Sequence, residues 1–113
     1  MKCKVVKIGF ADVKEAEVRL NEELKKIEHF VSLKIVNNGH HSSAVIFYDT
    51  EGEGESITPQ AKIVEFSITD TLEAQKVIDS AIEGLDIINI DVATPIDGNR
   101  MVILYDASED SES

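Results

Sequence analysis

Residues 4–36 read KVVKIGFADVKEAEVRLNEELKKIEHFVSLKIV, and residues 62–92 read KIVEFSITDTLEAQKVIDSAIEGLDIINIDV. The fold turns on whether these are one pattern written twice. Sliding the chain along itself sets Lys4 on Lys62, Val6 on Val64, Asp12 on Asp70, Glu15 on Glu73, Ala16 on Ala74, Leu20 on Ile78 and Leu24 on Ile82. After a one-residue deletion near Glu28, Leu33 meets Ile90, Tyr48 meets Tyr105 and Asp49 meets Asp106. Hydrophobic phase is shared along with identity, so a tandem duplication is the simplest account. It also explains why VIFYDTEGEGES (residues 45–56) reappears as VILYDASEDSES at residues 102–113.

Each copy has a legible order of elements. Residues 4–10 alternate, with Val6, Ile8 and Phe10 on one face, as a half-buried strand does. Asp12 with Glu15 three residues later is a capping-box variant that opens a helix. Val13, Ala16, Leu20, Leu24 and Ile27 then follow at helical spacing and form one apolar stripe. Residues 30–36 alternate again, Asn37-Asn38-Gly39 supplies a hairpin turn, and residues 44–48 make a third strand. The second copy reads as strand 62–68, helix 70–84, strand 87–93, an Asp97-Gly98 turn and strand 101–106. The expected fold is therefore α+β: a duplicated β-α-β-β unit, pseudo-twofold, with mostly antiparallel sheets and two helices. The third strands, AVIFY and MVILY, are apolar at consecutive positions, as strands covered on both faces are. A right-handed crossover followed by a hairpin puts the third strand between the other two. The second helix has a wider stripe, because Val77 and Ala81 stand where the first has Arg19 and Glu23; it should bury a second side. The parts are residues 1–49, an acidic linker 50–61, residues 62–106 packed with the first copy as one compact domain, and a disordered acidic tail 107–113.

The chain has 113 residues and a formal charge of −11. The charge is uneven: +1 over residues 1–49, −6 over 62–106 and −3 in each of the linker and tail. Such a surface repels nucleic acid, so no direct nucleic-acid binding is expected. No apolar run is long enough to span a bilayer, and the N-terminus lacks the apolar core of a signal peptide. A soluble cytoplasmic protein with no membrane association is expected. The lone cysteine, Cys3, reads as a small half-buried hydrophobe.

No nucleophile–base pair, phosphate loop or metal-ligand spacing occurs, and neither enzyme activity nor a cofactor is expected. His40 and His41 are adjacent, so on a strand they point to opposite faces. Asp49 and Asp106 read as strand-ending acids. The binding candidates are Tyr48 and Ile46, Tyr105 and Ile103, expected as a Tyr-ended stripe on the sheet face away from the helix. Such stripes suit a protein partner or a homodimer. The hairpin tips add Asn38, His40, His41, Asn99 and Arg100, the last suited to a small anionic ligand.

Leu20-Asn21-x-x-Leu24, Leu33-Lys34-Ile35 and Ala44-x-Ile46-x-Tyr48 carry a resemblance. Residues 4–49 resemble the short acidic β-α-β-β proteins of spore-forming bacteria and their phages, a sporulation-protein-like family. The second copy keeps the skeleton, with Ile78-Asp79 for Leu-Asn and Met101 for Ala44. The resemblance implies a bacterial host cell and a non-enzymatic binding role, such as a phage protein that inhibits a host defence protein. Two alternatives accompany it: sequestration of a signalling nucleotide in a cleft between copies or subunits, and DNA mimicry by the acidic EGEGES and SEDSES segments.

Overall fold

The computed structural model describes residues 1–8, 12–39, 41–51, 57–94 and 99–107. The element order is β1 (Lys2–Lys7), α1 (Val13–Leu24), β2 (His29–Asn38), β3 (His41–Asp49), β4 (Pro59–Phe66), α2 (Thr71–Ile82), β5 (Ile87–Ala93) and β6 (Asn99–Asp106). These form an α+β fold with two three-stranded sheets, ordered β1-β3-β2 and β4-β6-β5. Both outer strands of each sheet run antiparallel to the central one.

The local signals act as their chemistry requires. The Asp12 carboxylate accepts the Glu15 amide at 2.7 Å, and Asp70 accepts that of Glu73 at 3.1 Å, satisfying one otherwise orphaned N–H at each helix start. Gly84, with φ +77°, follows α2 and takes a backbone conformation that a side chain would strain. Each sheet has a bulge at the same place in its unit, between Phe30 and Ser32 in β2 and between Ile87 and Asn89 in β5.

Some boundaries differ from expectation. β4 begins at Pro59, not at residue 62, because the chain pairs with β6 as soon as Pro59 comes opposite Asp106. The linker is shorter accordingly. Ala107, placed in the tail on sequence grounds, is buried and donates its amide to the Thr58 carbonyl at 2.9 Å. The rest of the tail, the acidic residues 52–56, His40 and the Asp97-Gly98 turn lie outside the described residues.

Alternation and register define two faces on each sheet. In the first, Lys4, Val6, Ala44, Ile46, Leu33 and Ile35 face α1, where Ala16, Leu20 and Leu24 complete the core. The opposite face, here the back face, consists of three rows across the strands: Cys3–Phe47–Ser32, Val5–Val45–Lys34 and Lys7–Ser43–Val36. In the second sheet the corresponding back-face rows are Ala61–Leu104–Asn89, Ile63–Val102–Asp91 and Glu65–Arg100–Ala93. The two sheets share one register, yet their surroundings differ. Ala61, Ile63, Ala93, Val102 and Leu104 join the same buried cluster as Val6, Leu20 and Ile46. The second sheet therefore lays its back face on the helix side of the first half.

Candidate docking surface

The seam between the halves is made by polar side chains that satisfy strand edges. Asn21, in the middle of α1, clasps the outer edge of β4: its amide donates to the Ala61 carbonyl at 3.0 Å, and its carbonyl accepts the Ala61 amide at 2.6 Å. Glu17, one turn earlier, accepts the Ile63 amide at 3.4 Å. At the other side of the seam β5 holds the edge of β2. Asn89 donates to the Leu33 carbonyl at 2.6 Å, and Asp91 accepts the Ile35 amide at 2.8 Å. Asn37 returns the favour to β5, donating to the Val92 carbonyl at 3.1 Å and accepting the Thr94 amide at 2.9 Å. Edge groups that would otherwise sit unpaired at a half-buried seam are thereby satisfied.

This arrangement is one-sided. α1 packs on its own β1 and on β4 of the other half, whereas α2 packs on its own β4 and, among the described residues, shows no comparable packing on β1. The two halves agree in fold, but their meeting is not a mutual exchange. The consequence is read at equivalent positions: Ile63 is 3% exposed and its counterpart Val5 is 66% exposed. Ala93 is fully buried and its counterpart Val36 is 53% exposed. Phe47 and Val45 are half-buried where Leu104 and Val102 are sealed. The back face of the first sheet is thus an open, largely apolar surface with Lys7 and Lys34 as its only charged members.

The sequence-based candidates fall elsewhere. Ile46 and Ile103 are fully buried, and the register places them on the helix side of each sheet, not on the face away from the helix. The reason is visible in Lys4 and Lys62, cross-strand neighbours of these isoleucines. Lys4 reaches Glu23 of α1 at 3.3 Å, and Lys62 reaches the Ala81 carbonyl of α2 at 3.1 Å. Tyr48 and Tyr105 end the same stripes, half-buried. Arg100 is not an open anion-binding group: it is 6% exposed and donates to the Ile8 carbonyl at 3.1 Å, tying the second sheet to the end of β1. Asn99 is half-buried, and Asn38 and His41 are exposed at the first hairpin. Asp49 lies 3.5 Å from the terminal ammonium, and Asp106 accepts the Thr58 amide at 3.1 Å. Of the residues that widen the α2 stripe, Ala81 is buried and Val77 half-buried, with α2 packed on its own β4; α1 is the helix that packs on the other half, against β4.

One groove lies at the seam and another within the first half. One, of about 220 Å³, runs between β2 and β5 and is lined by Phe30, Leu33, Lys34, Ile88, Asn89 and Asp91. The other, about 550 Å³ and open, lies between β1 and α1, lined by Val5, Val6, Lys7, Arg19, Glu22 and Glu23. Glu23 is held below the ordinary glutamate pKa, first by its bond to Lys26 and then by Lys4. Among the described residues no group of three or more His, Cys, Asp or Glu side chains converges as a metal site, and no helix is long and apolar enough to cross a membrane. In comparison with known proteins, no family model, no curated protein and no solved structure gives a significant match.

Proposed function

We propose that this chain is a non-enzymatic protein-binding module that receives a polypeptide on the back face of its first sheet, and that in a bacterial or phage setting the protein serves to inhibit a host protein. The observation that carries the reading is the contrast between Val5 and Ile63: one sheet face, built twice, is sealed once and left open once. β3 is apolar at consecutive positions, the pattern of a strand covered on both faces, yet among the described residues its helix side is sealed and its other side only half-covered. An open apolar face rimmed by lysines is a common form of interaction site.

The nucleotide reading has less support. The groove between the halves, about 220 Å³, is below the roughly 300–1,000 Å³ of small-molecule sites. Its Asn89 amide and Asp91 carboxylate already bind the β2 edge, and Asp91 repels phosphate. Apart from Glu51, the segments proposed to mimic DNA lie outside the described residues.

The test is a photo-crosslinking residue placed at Val5, with Val18 on the exposed side of α1 as the control, in cells that make the protein. Polypeptide adducts at position 5 and none at 18 are expected. No polypeptide adduct at position 5 would refute the proposal.

A further inference from the structure

The two ends of the molecule are the two halves of an interface that the chain already contains once. Inside the chain, the helix side of the first half receives the back face of the second. Among the described residues, that leaves one back face uncovered, on the first sheet, and one helix side uncovered, on the second half. The second surface is visibly unfinished. Leu33 is 2% exposed under the second half, while its counterpart Ile90 is 40% exposed. Leu20 and Leu24 are sealed, whereas their counterparts Ile78 and Ile82 are only half-buried. Ile87, opposite Tyr105 on that face, is also exposed, as are Ile68 and Leu72 around the start of α2.

The polar clasp has its counterparts too. The β4 edge held by Asn21 and Glu17 corresponds to the backbone of Cys3 and Val5 on β1, the outer strand of the first sheet. Asn21 and Glu17 correspond to Asp79 and Gln75, both exposed on α2. Charge favours the same pairing. β1 carries Lys2 and Lys7, besides Lys4 that Glu23 already holds, and no acid, while α2 and the turn after it carry Glu73, Asp79, Glu83 and Asp86 against Lys76.

Resting on the reading of the back face as a protein-docking surface, we infer that its occupant is a second copy of this chain, seated through the α2 side of its second half. The contact is head-to-tail. A pair joined this way still offers one free surface of each kind, so assembly continues as an open row or closes into a ring. Pairing of two back faces with each other is disfavoured, because it sets Lys7 and Lys34 of one copy against those of the other.

The purified full chain decides this by sedimentation velocity and native mass spectrometry over a concentration series. A ladder of dimer, trimer and larger species that grows with concentration and weakens with salt is expected. Two variants isolate the surfaces: Val5→Glu with Val36→Glu on the back face, and Asp79→Lys with Ile90→Lys on the helix side. All four positions are exposed, so folding is retained, checked by circular dichroism. Each variant alone should be monomeric, and an equimolar mixture should give a heterodimer and nothing larger. A wild-type monomer at millimolar concentration would overturn the inference, as would a helix-side variant that still dimerises alone. If the purified chain is monomeric yet Val5 crosslinks a foreign polypeptide in cells, self-docking fails and the binding reading stands. If neither occurs, both fail.

Discussion

Replacing Asn21 by alanine removes the clasp that joins α1 to the second sheet. Two hydrogen bonds disappear, at 2.6 and 3.0 Å, each worth about 1 kcal/mol net. The Ala61 amide and carbonyl then sit at a half-buried seam with restricted access to water, which raises the loss to about 3–4 kcal/mol. Alanine returns about 0.6 kcal/mol through helix propensity. The net cost is about 2–3 kcal/mol, a large part of the roughly 5–15 kcal/mol that stabilises a domain. For a chain of this size that lowers Tm by about 8–12 °C. Urea denaturation followed by circular dichroism measures it, with an unchanged slope expected if unfolding stays two-state. Asn21→Asp sharpens the test. Its carboxylate still accepts from the Ala61 amide but faces the Ala61 carbonyl without a proton to donate. It should be destabilised at neutral pH and recover on acidification relative to Asn21→Ala. A loss below about 0.5 kcal/mol for Asn21→Ala, the size of an ordinary surface change, would refute the clasp.

Three further outcomes follow from the same geometry. Val5→Lys should change stability by less than about 0.5 kcal/mol, whereas Ile63→Lys, at the equivalent but buried position, should cost more than about 4 kcal/mol or prevent folding; chemical denaturation of both proteins compares them. Arg100→Ala should cost about 2–3 kcal/mol, because it removes the buried stem as well as the bond to Ile8, and Arg100→Met, which keeps the stem volume, about half as much. Glu23 has a lowered folded-state pKa, so its contribution is present above the ordinary glutamate range and is lost as pH falls through the lowered value; in thermal melts against pH, the gap between wild type and Glu23→Gln should close on acidification.

The sequence carries the element order, both helix caps and the central position of the third strands, because these depend on local spacing and on connection rules. The Tyr-ended stripes lie on the helix side of each sheet and not away from it. The pattern AVIFY is apolar on both faces, and alternation alone does not say which face the helix takes. The partners decide it and not the lysines themselves: Lys4 and Lys62 reach Glu23 and the Ala81 carbonyl on the helix side, whereas Lys34 stands in an equally apolar row on the back face. Asn21 was visible between Leu20 and Leu24, but its role was not, since the edge it serves lies 40 residues on. Arg100 looked like a turn residue because its burial depends on the other half of the chain. The difference between the two back faces has no local signal at all. Val5 and Ile63 are both apolar strand residues, and only the one-sided stacking of the halves separates them.

Cys3 makes that stacking directly measurable. It is the chain's only cysteine, it is exposed, and it stands in the back-face row whose counterpart begins with buried Ala61. The measurement is the rate of thiol labelling in dilute protein, comparing wild type with Cys3→Ala/Ala61→Cys. One-sided stacking predicts that Cys3 reacts about as fast in the native protein as in denaturant, and that the cysteine at position 61 is protected by orders of magnitude. Equal labelling at the two positions, or protection of Cys3 at high dilution, would contradict it.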